Sequence, residues 1–195
     1  MANQNGAFGF NPVRMQGSGP STNGQTRYAI ANGENTGNIF QGALVKMVAG
    51  GTIQVATGVA DIALGVFNGA QWVDTSSSKP TWSNYFPNAT SSYDGIINAF
   101  VIDDPNQLFE VQVSGAFANT NIGQTANLVN MTDGYTGSGT SQAQVNSSTF
   151  GTGANTAVRV IGLSDNPENS DVTANNCNIV VKLNKHFYSS NLAGI

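Results

Sequence analysis

The sequence predicts an all-β protein: a compact antiparallel β-barrel or sandwich with long loops and an extended N-terminal arm. Three observations predict it. Short runs of Val, Ile, Leu and Phe recur between Gly-, Asn- and Pro-bearing turns. No segment longer than about eight residues carries a convincing helical period. The polar residues are mainly Asn, Gly, Ser, Thr and Gln, which form poor helices but good turns and exposed strand faces.

From residue 1 to about residue 38 the chain is rich in Gly, Asn, Gln and Ser, with isolated apolar residues Phe8, Phe10, Val13, Met15 and Tyr28 and no periodicity. It reads as an arm, 1–38, ahead of a single β domain, 39–195. The arm is expected to become ordered on a partner through its spaced apolar anchors.

The domain opens with Ile39 to Val48, the turn Ala49-Gly50-Gly51-Thr52, and Ile53-Gln54-Val55, a predicted hairpin. Ile62 to Phe67 and Gln71-Trp72-Val73 are joined by Asn68-Gly69, the dipeptide best suited to a type I′ turn, so a second hairpin is predicted there. Residues 74–94 form a long excursion whose prolines, Pro80 and Pro87, argue against regular structure. Its aromatics Trp82, Tyr85 and Phe86 require either a fold-back onto the barrel end or an intersubunit contact.

Ile96 to Ile102 and Leu108 to Val113 are the strongest strands. In the second, Phe109, Val111 and Val113 alternate with Glu110 and Gln112, which are expected on the opposite face. After a looser polar stretch, Ala157 to Leu163 and Asn178 to Leu183 close the chain.

Composition restricts function. Hydrophobic residues are 39% and charged residues 9% of the chain, where soluble domains usually carry about 25% charge. Seven Lys and Arg against eleven Asp and Glu give a net charge of −4, with the basic residues scattered, so no nucleic-acid partner is expected. The one cysteine, Cys177, forms no intrachain disulfide and reads as a small core residue. The start lacks a signal-peptide pattern, and no apolar run approaches the length of a membrane span; synthesis in the cytoplasm and no membrane partner are expected.

No catalytic residue, cofactor or metal is predicted. His186 is the single histidine and reads as a polar cap or packed ring at a strand end. One His and one Cys cannot form a zinc-type cluster. The acids Asp103-Asp104 and Asp165, Glu168 and Asp171 lack EF-hand spacing and read as turn formers. Gly137-Ser138-Gly139-Thr140-Ser141 and Gly151-Thr152-Gly153 lack the Lys, the third Gly and the following helix of phosphate loops.

The order of features between Phe40 and His186 resembles small virion proteins of tailed phages. The resemblance rests on Gly42-Ala43-Leu44-Val45, Leu64-Gly65-Val66-Phe67-Asn68-Gly69 ahead of Trp72, Val101-Ile102-Asp103-Asp104-Pro105 leading into Phe109-Glu110-Val111-Gln112, and the closing Val180-Val181-Lys182-Leu183-Asn184-Lys185-His186. It implies a capsid decoration, or cement, protein: a non-enzymatic, homotrimeric virion component that binds the major capsid protein on the outer capsid surface and fastens neighbouring capsomers. The partner-binding residues are then expected in the arm and the loop: Phe8, Phe10, Val13, Met15, Trp82, Tyr85 and Phe86. Two other readings compete: a tail or fibre protein that contacts a host receptor, and a carbohydrate-binding β domain using Trp72, Trp82 and Tyr85 as a sugar platform.

Overall fold

Val, Ile and Phe alternating with small polar residues favour pleated strands, and strands dominate the chain. The structure, a computed structural model, describes residues 3–17, 19–21, 24–31, 37–88 and 95–189. Parts of the expected arm (1–2, 18, 22–23 and 32–36) and the end of the 74–94 excursion (89–94) lie outside them. The described residues contain two short 3-10 turns but no α-helix, and so no helix able to cross a membrane.

The strands are β1 (Asn11–Met15), β2 (Thr26–Ile30), β3 (Leu44–Met47), β4 (Thr52–Val55), β5 (Gly65–Val73), β6 (Pro80–Ser83), β7 (Ile97–Ile102) and β8 (Gln107–Gln112). They continue with β9 (Thr125–Ala126), β10 (Leu128–Val129), β11 (Gly134–Tyr135), β12 (Thr140–Ser141), β13 (Gln144–Val145), β14 (Val158–Leu163) and β15 (Asn178–Leu183).

β3, β4, β2, β7 and β5 pair in that order, and β5 returns to β3 through Leu44↔Val66 and Val45↔Gly65, closing a five-stranded barrel. Its inward side chains include Ile30, Val45, Ile53, Val55, Phe67, Ile97, Ala99 and Val101, all nearly or fully buried. All its pairings are antiparallel except β2 with β4. The last residues of β5 carry β6 on the edge that its first residues give to β3.

A second sheet runs β1-β8-β15-β14-β9. One residue beyond β9, β10 pairs with β13, and Val145 of β13 bridges back to Val113 at the end of β8. This second ring encloses Phe109, Val111, Val158, Val160, Ile179 and Val181. The same core takes in Leu44, Val66 and Ile102 from the outer side of the first barrel, so the two lobes share an apolar wall.

Several expectations hold. The chain is all-β, β3 and β4 form the predicted hairpin, and the two expected closing strands are present as β14 and β15, which pair with each other. Others do not. Asn68-Gly69 makes no turn: β5 runs unbroken from Gly65 to Val73, and the dipeptide forms a bulge where the register against β7 slips between Phe67 and Gly69. The long pairings of β5 with β7 and β6 outweigh a local turn preference, and Gly69, at φ +151°, supplies the backbone shape the bulge needs. Pro80 likewise does not prevent strand formation. It occupies the first position of β6, where a missing N–H is tolerated.

The segment expected as a free-standing arm is woven into both lobes. β1 pairs with β8, and β2 is a stave of the first barrel between β4 and β7. Phe10 and Ile30 are each only 2% exposed. A boundary at residue 38 therefore cuts through the barrel, because five residues of its wall come from 26–30. The ordered beginning of the chain also covers β8. Gln112, on the face opposite Phe109, is fully buried: its amide donates to the Gln4 carbonyl at 2.9 Å and its oxygen accepts from the Gly6 N–H at 3.2 Å.

Candidate interaction surfaces

The seven residues expected to bind a partner fall into two groups. Phe10 packs edge-on against Phe109, with ring centroids 6.0 Å apart, and belongs to the chain's own core. Phe86 is 1% exposed and packs edge-on against Trp72 at 5.4 Å, while its backbone exchanges two hydrogen bonds with Ile39. Tyr85 is partly buried and stacks on Phe40 at 5.7 Å. These three side chains are consumed by the fold, which corrects their assignment to a partner. The loop aromatics Tyr85 and Phe86 fold back onto the chain itself.

Phe8 and Met15 are partly buried, Phe8 at a groove it shares with Asn11, Gln41, Asn68 and Thr140. Val13 is 38% exposed. It lies at a bulge in β1, where the register with β8 skips between Pro12 and Arg14. Trp82 is 64% exposed, the most exposed of the large apolar side chains among the described residues. A Cβ on Gly69 would lie only 3.3 Å from Trp82 Cζ2 and 3.0 Å from the Ser83 carbonyl oxygen, so the bare glycine backbone leaves room for the indole.

Two of the edge strands, β1 and β6, bear devices that resist strand addition. β1 carries Pro12 and a bulge, and β6 starts at Pro80. Contacts made by these edges therefore depend on side chains rather than on extension of the sheet.

Sequence reasoning missed a third exposed group. Phe187 and Tyr188 are 49% and 53% exposed and pack edge-on at 5.2 Å. Their adjacency to the end of the last strand was the available signal. The Tyr188 hydroxyl lies 2.9 Å from that of Tyr28, which donates to Asp103 at 2.5 Å. Burial, followed by these hydrogen bonds, raises the Tyr28 pKa well above its ordinary value.

The single histidine and the single cysteine are both buried. His186 is 1% exposed; its Nδ1 accepts the Tyr188 N–H at 3.1 Å, and its Nε2 has no partner among the described residues. Burial lowers its pKa, and Lys182 adds to that, while Asp103 and Asp104 oppose it. Cys177 is fully buried, and burial raises its thiol pKa.

The acids form turns and caps. Asp104 accepts the Asn106 N–H, and Asp171 accepts from the Thr173 hydroxyl and N–H. Asp61 pairs with Lys46 at 3.0 Å. Burial pushes its carboxyl up, but Lys46 and the N–H groups of Gly58 and Thr57 outweigh this and hold it low. Among the described residues no three His, Cys, Asp or Glu side chains converge as a metal site.

The described residues thus offer three exposed apolar groups as candidate surfaces: the bulged edge at Val13, the outer barrel face at Trp82 and the Phe187–Tyr188 pair. Compared with known proteins, the chain matches no family model, no curated protein and no solved structure.

Proposed function

We propose that this chain is a non-enzymatic virion structural protein that decorates the outer surface of a tailed-phage capsid and stabilises contacts between capsomers. The observation that carries the proposal is the edge strand β1. It raises Val13 from a bulge two residues before partly buried Met15, while Phe10, immediately before the strand, is anchored in the core. An apolar side chain displayed on a braced edge loses little conformational freedom on binding. The sparse charge favours contacts made by small polar groups and apolar anchors over salt bridges. The order of motifs that resembles decoration proteins supplies the partner, the major capsid protein, and the trimeric arrangement.

Co-sedimentation with undecorated heads of the phage that carries the gene tests this reading. Saturable binding is expected, with Val13→Asp weakening it and a label at the C-terminus appearing on head faces. A label on tails, or no saturable binding to heads, overturns it.

A further inference from the structure

The geometry points to the outer face of the first barrel, at Trp82, Gln71 and Asn98, as a binding site for a neutral oligosaccharide. The three residues form one row across three strands: Trp82 on β6 is the register partner of Gln71 on β5, which is the partner of Asn98 on β7. All three point outward, because their strand neighbours Ala70, Trp72, Ile97 and Ala99 are buried. Adjacent strands lie about 4.8 Å apart, so the row is about 10 Å long, enough to span two linked sugar rings.

The indole of Trp82 is 64% exposed, and its Cζ2 edge lies next to Gly69 of β5, where no side chain crowds it. An aromatic ring presented in this way offers a flat apolar surface to the C–H face of a pyranose. Gln71 and Asn98 have no side-chain hydrogen-bond partner among the described residues, whereas the amides of Gln41, Gln107, Gln112 and Gln144 are all engaged by the fold. Each free amide supplies both donors and an acceptor, a match for adjacent sugar hydroxyls. No residue of the row is charged, so it offers nothing to compensate an acidic sugar. Beside the row, Val73 and Pro80 line a shallow groove with Gln71 and Asn98.

This differs from a sugar platform of Trp72, Trp82 and Tyr85, since Trp72 is 6% exposed and Tyr85 is stacked on Phe40. The site is also separate from the Val13 edge proposed for capsid binding, so either assignment can fail alone.

The test uses the whole chain on an array of neutral oligosaccharides of glucose, galactose, mannose and N-acetylglucosamine together with sialylated and uronic acid glycans. Titrations of tryptophan fluorescence with the neutral oligosaccharides that bind then follow. Binding to neutral glycans is expected. Trp82→Ala should weaken it by about tenfold or more, corresponding to one hot-spot contact, and the double variant Gln71→Ala/Asn98→Ala should weaken it with an unchanged unfolding temperature. Val13→Asp should leave it intact. The assignment is overturned if no neutral glycan binds, if only acidic glycans bind, or if folded Trp82→Ala and Gln71→Ala/Asn98→Ala proteins bind as tightly as the parent. Loss of capsid binding in Trp82→Ala without any glycan binding would assign the face to protein contact instead.

Discussion

The imidazole of His186 accepts the backbone N–H of Tyr188 on its Nδ1 at 3.1 Å, a bond that exists only while that nitrogen is unprotonated. Around it the chain crosses from one lobe to the other. Beyond β15, Ala63 donates to the Lys185 carbonyl and accepts from the Phe187 N–H, so residues 185–187 tie the end of the second sheet to the first barrel. The buried ring is the peg of that tie.

Burial lowers the His186 pKa in the folded protein below its ordinary value of 6.5. The unfolded chain therefore binds a proton that the folded chain resists, and stability falls as pH drops below about 6.5. The unfolding temperature should decline between about pH 7 and about pH 5, and His186→Gln should flatten that decline. Calorimetry of both proteins across this range decides it; equal slopes would remove His186 as the cause. Carboxylates held low, such as Asp61, contribute only at more acidic pH.

Gly65 marks where β5 crosses β7 too closely for a side chain. A Cβ there would lie 2.3 Å from the Ile102 carbonyl oxygen and 2.9 Å from Val101 Cγ1. Backbone cannot yield as a flexible side chain can, so Gly65→Ala should cost about 2–3 kcal/mol or more. Gly137→Ala, with nothing within 4 Å of the new carbon, should be nearly neutral. Denaturant unfolding of the two variants checks the contrast.

What the sequence revealed and what it hid follow from the range of the forces involved. The β3–β4 hairpin was legible because its alternation and turn residues lie within a few positions of each other, and β14 and β15 were legible as strands from their apolar runs. Asn68-Gly69 misled because its turn preference is local, while the pairing of β5 with β7 joins residues some thirty positions apart. β1 and β2 were illegible for a different reason. Their outward positions are mostly polar and exposed, leaving single apolar residues such as Phe10 and Ile30 without a repeat to mark them. In the candidate surfaces, the exposed aromatic Trp82 was readable as a residue type. Its row with Gln71 and Asn98 was not, because only register brings three distant strands together.

A protein lacking residues 1–27 should fail to fold cooperatively. The deletion removes β1, the Phe10–Phe109 contact and the first two residues of β2, opening the barrel between β4 and β7. Phe10→Ala alone should cost about 3–5 kcal/mol through the cavity it leaves. Circular dichroism with thermal unfolding measures both. A truncated protein that unfolds as sharply as the full chain would return this segment to the status of a detachable arm.

Gln112 offers the finest test of how the beginning of the chain is held. It is fully buried, bonds the Gln4 carbonyl and the Gly6 N–H, and accepts from the Gln144 amide at 3.0 Å, joining residues 4–6 and β13 to β8. Gln112→Ala leaves the buried Gln144 amide without this acceptor, and an unsatisfied buried group costs about 1–3 kcal/mol, whereas the exposed Gln4 and Gly6 lose only their anchor. The local consequence should exceed the global one. Gln4 and Gly6 are otherwise exposed, and the Asn3 contacts with the carbonyls of Asp171 and Asn175, together with the Gln4–Asn169 bonds, tie them only to a surface loop. Hydrogen exchange at residues 4–8 should therefore rise in Gln112→Ala, while amides within β14 and β15 keep their protection. Equal loss of protection in both places would mean that Gln112 supports the whole sheet rather than the seat of the N-terminal segment.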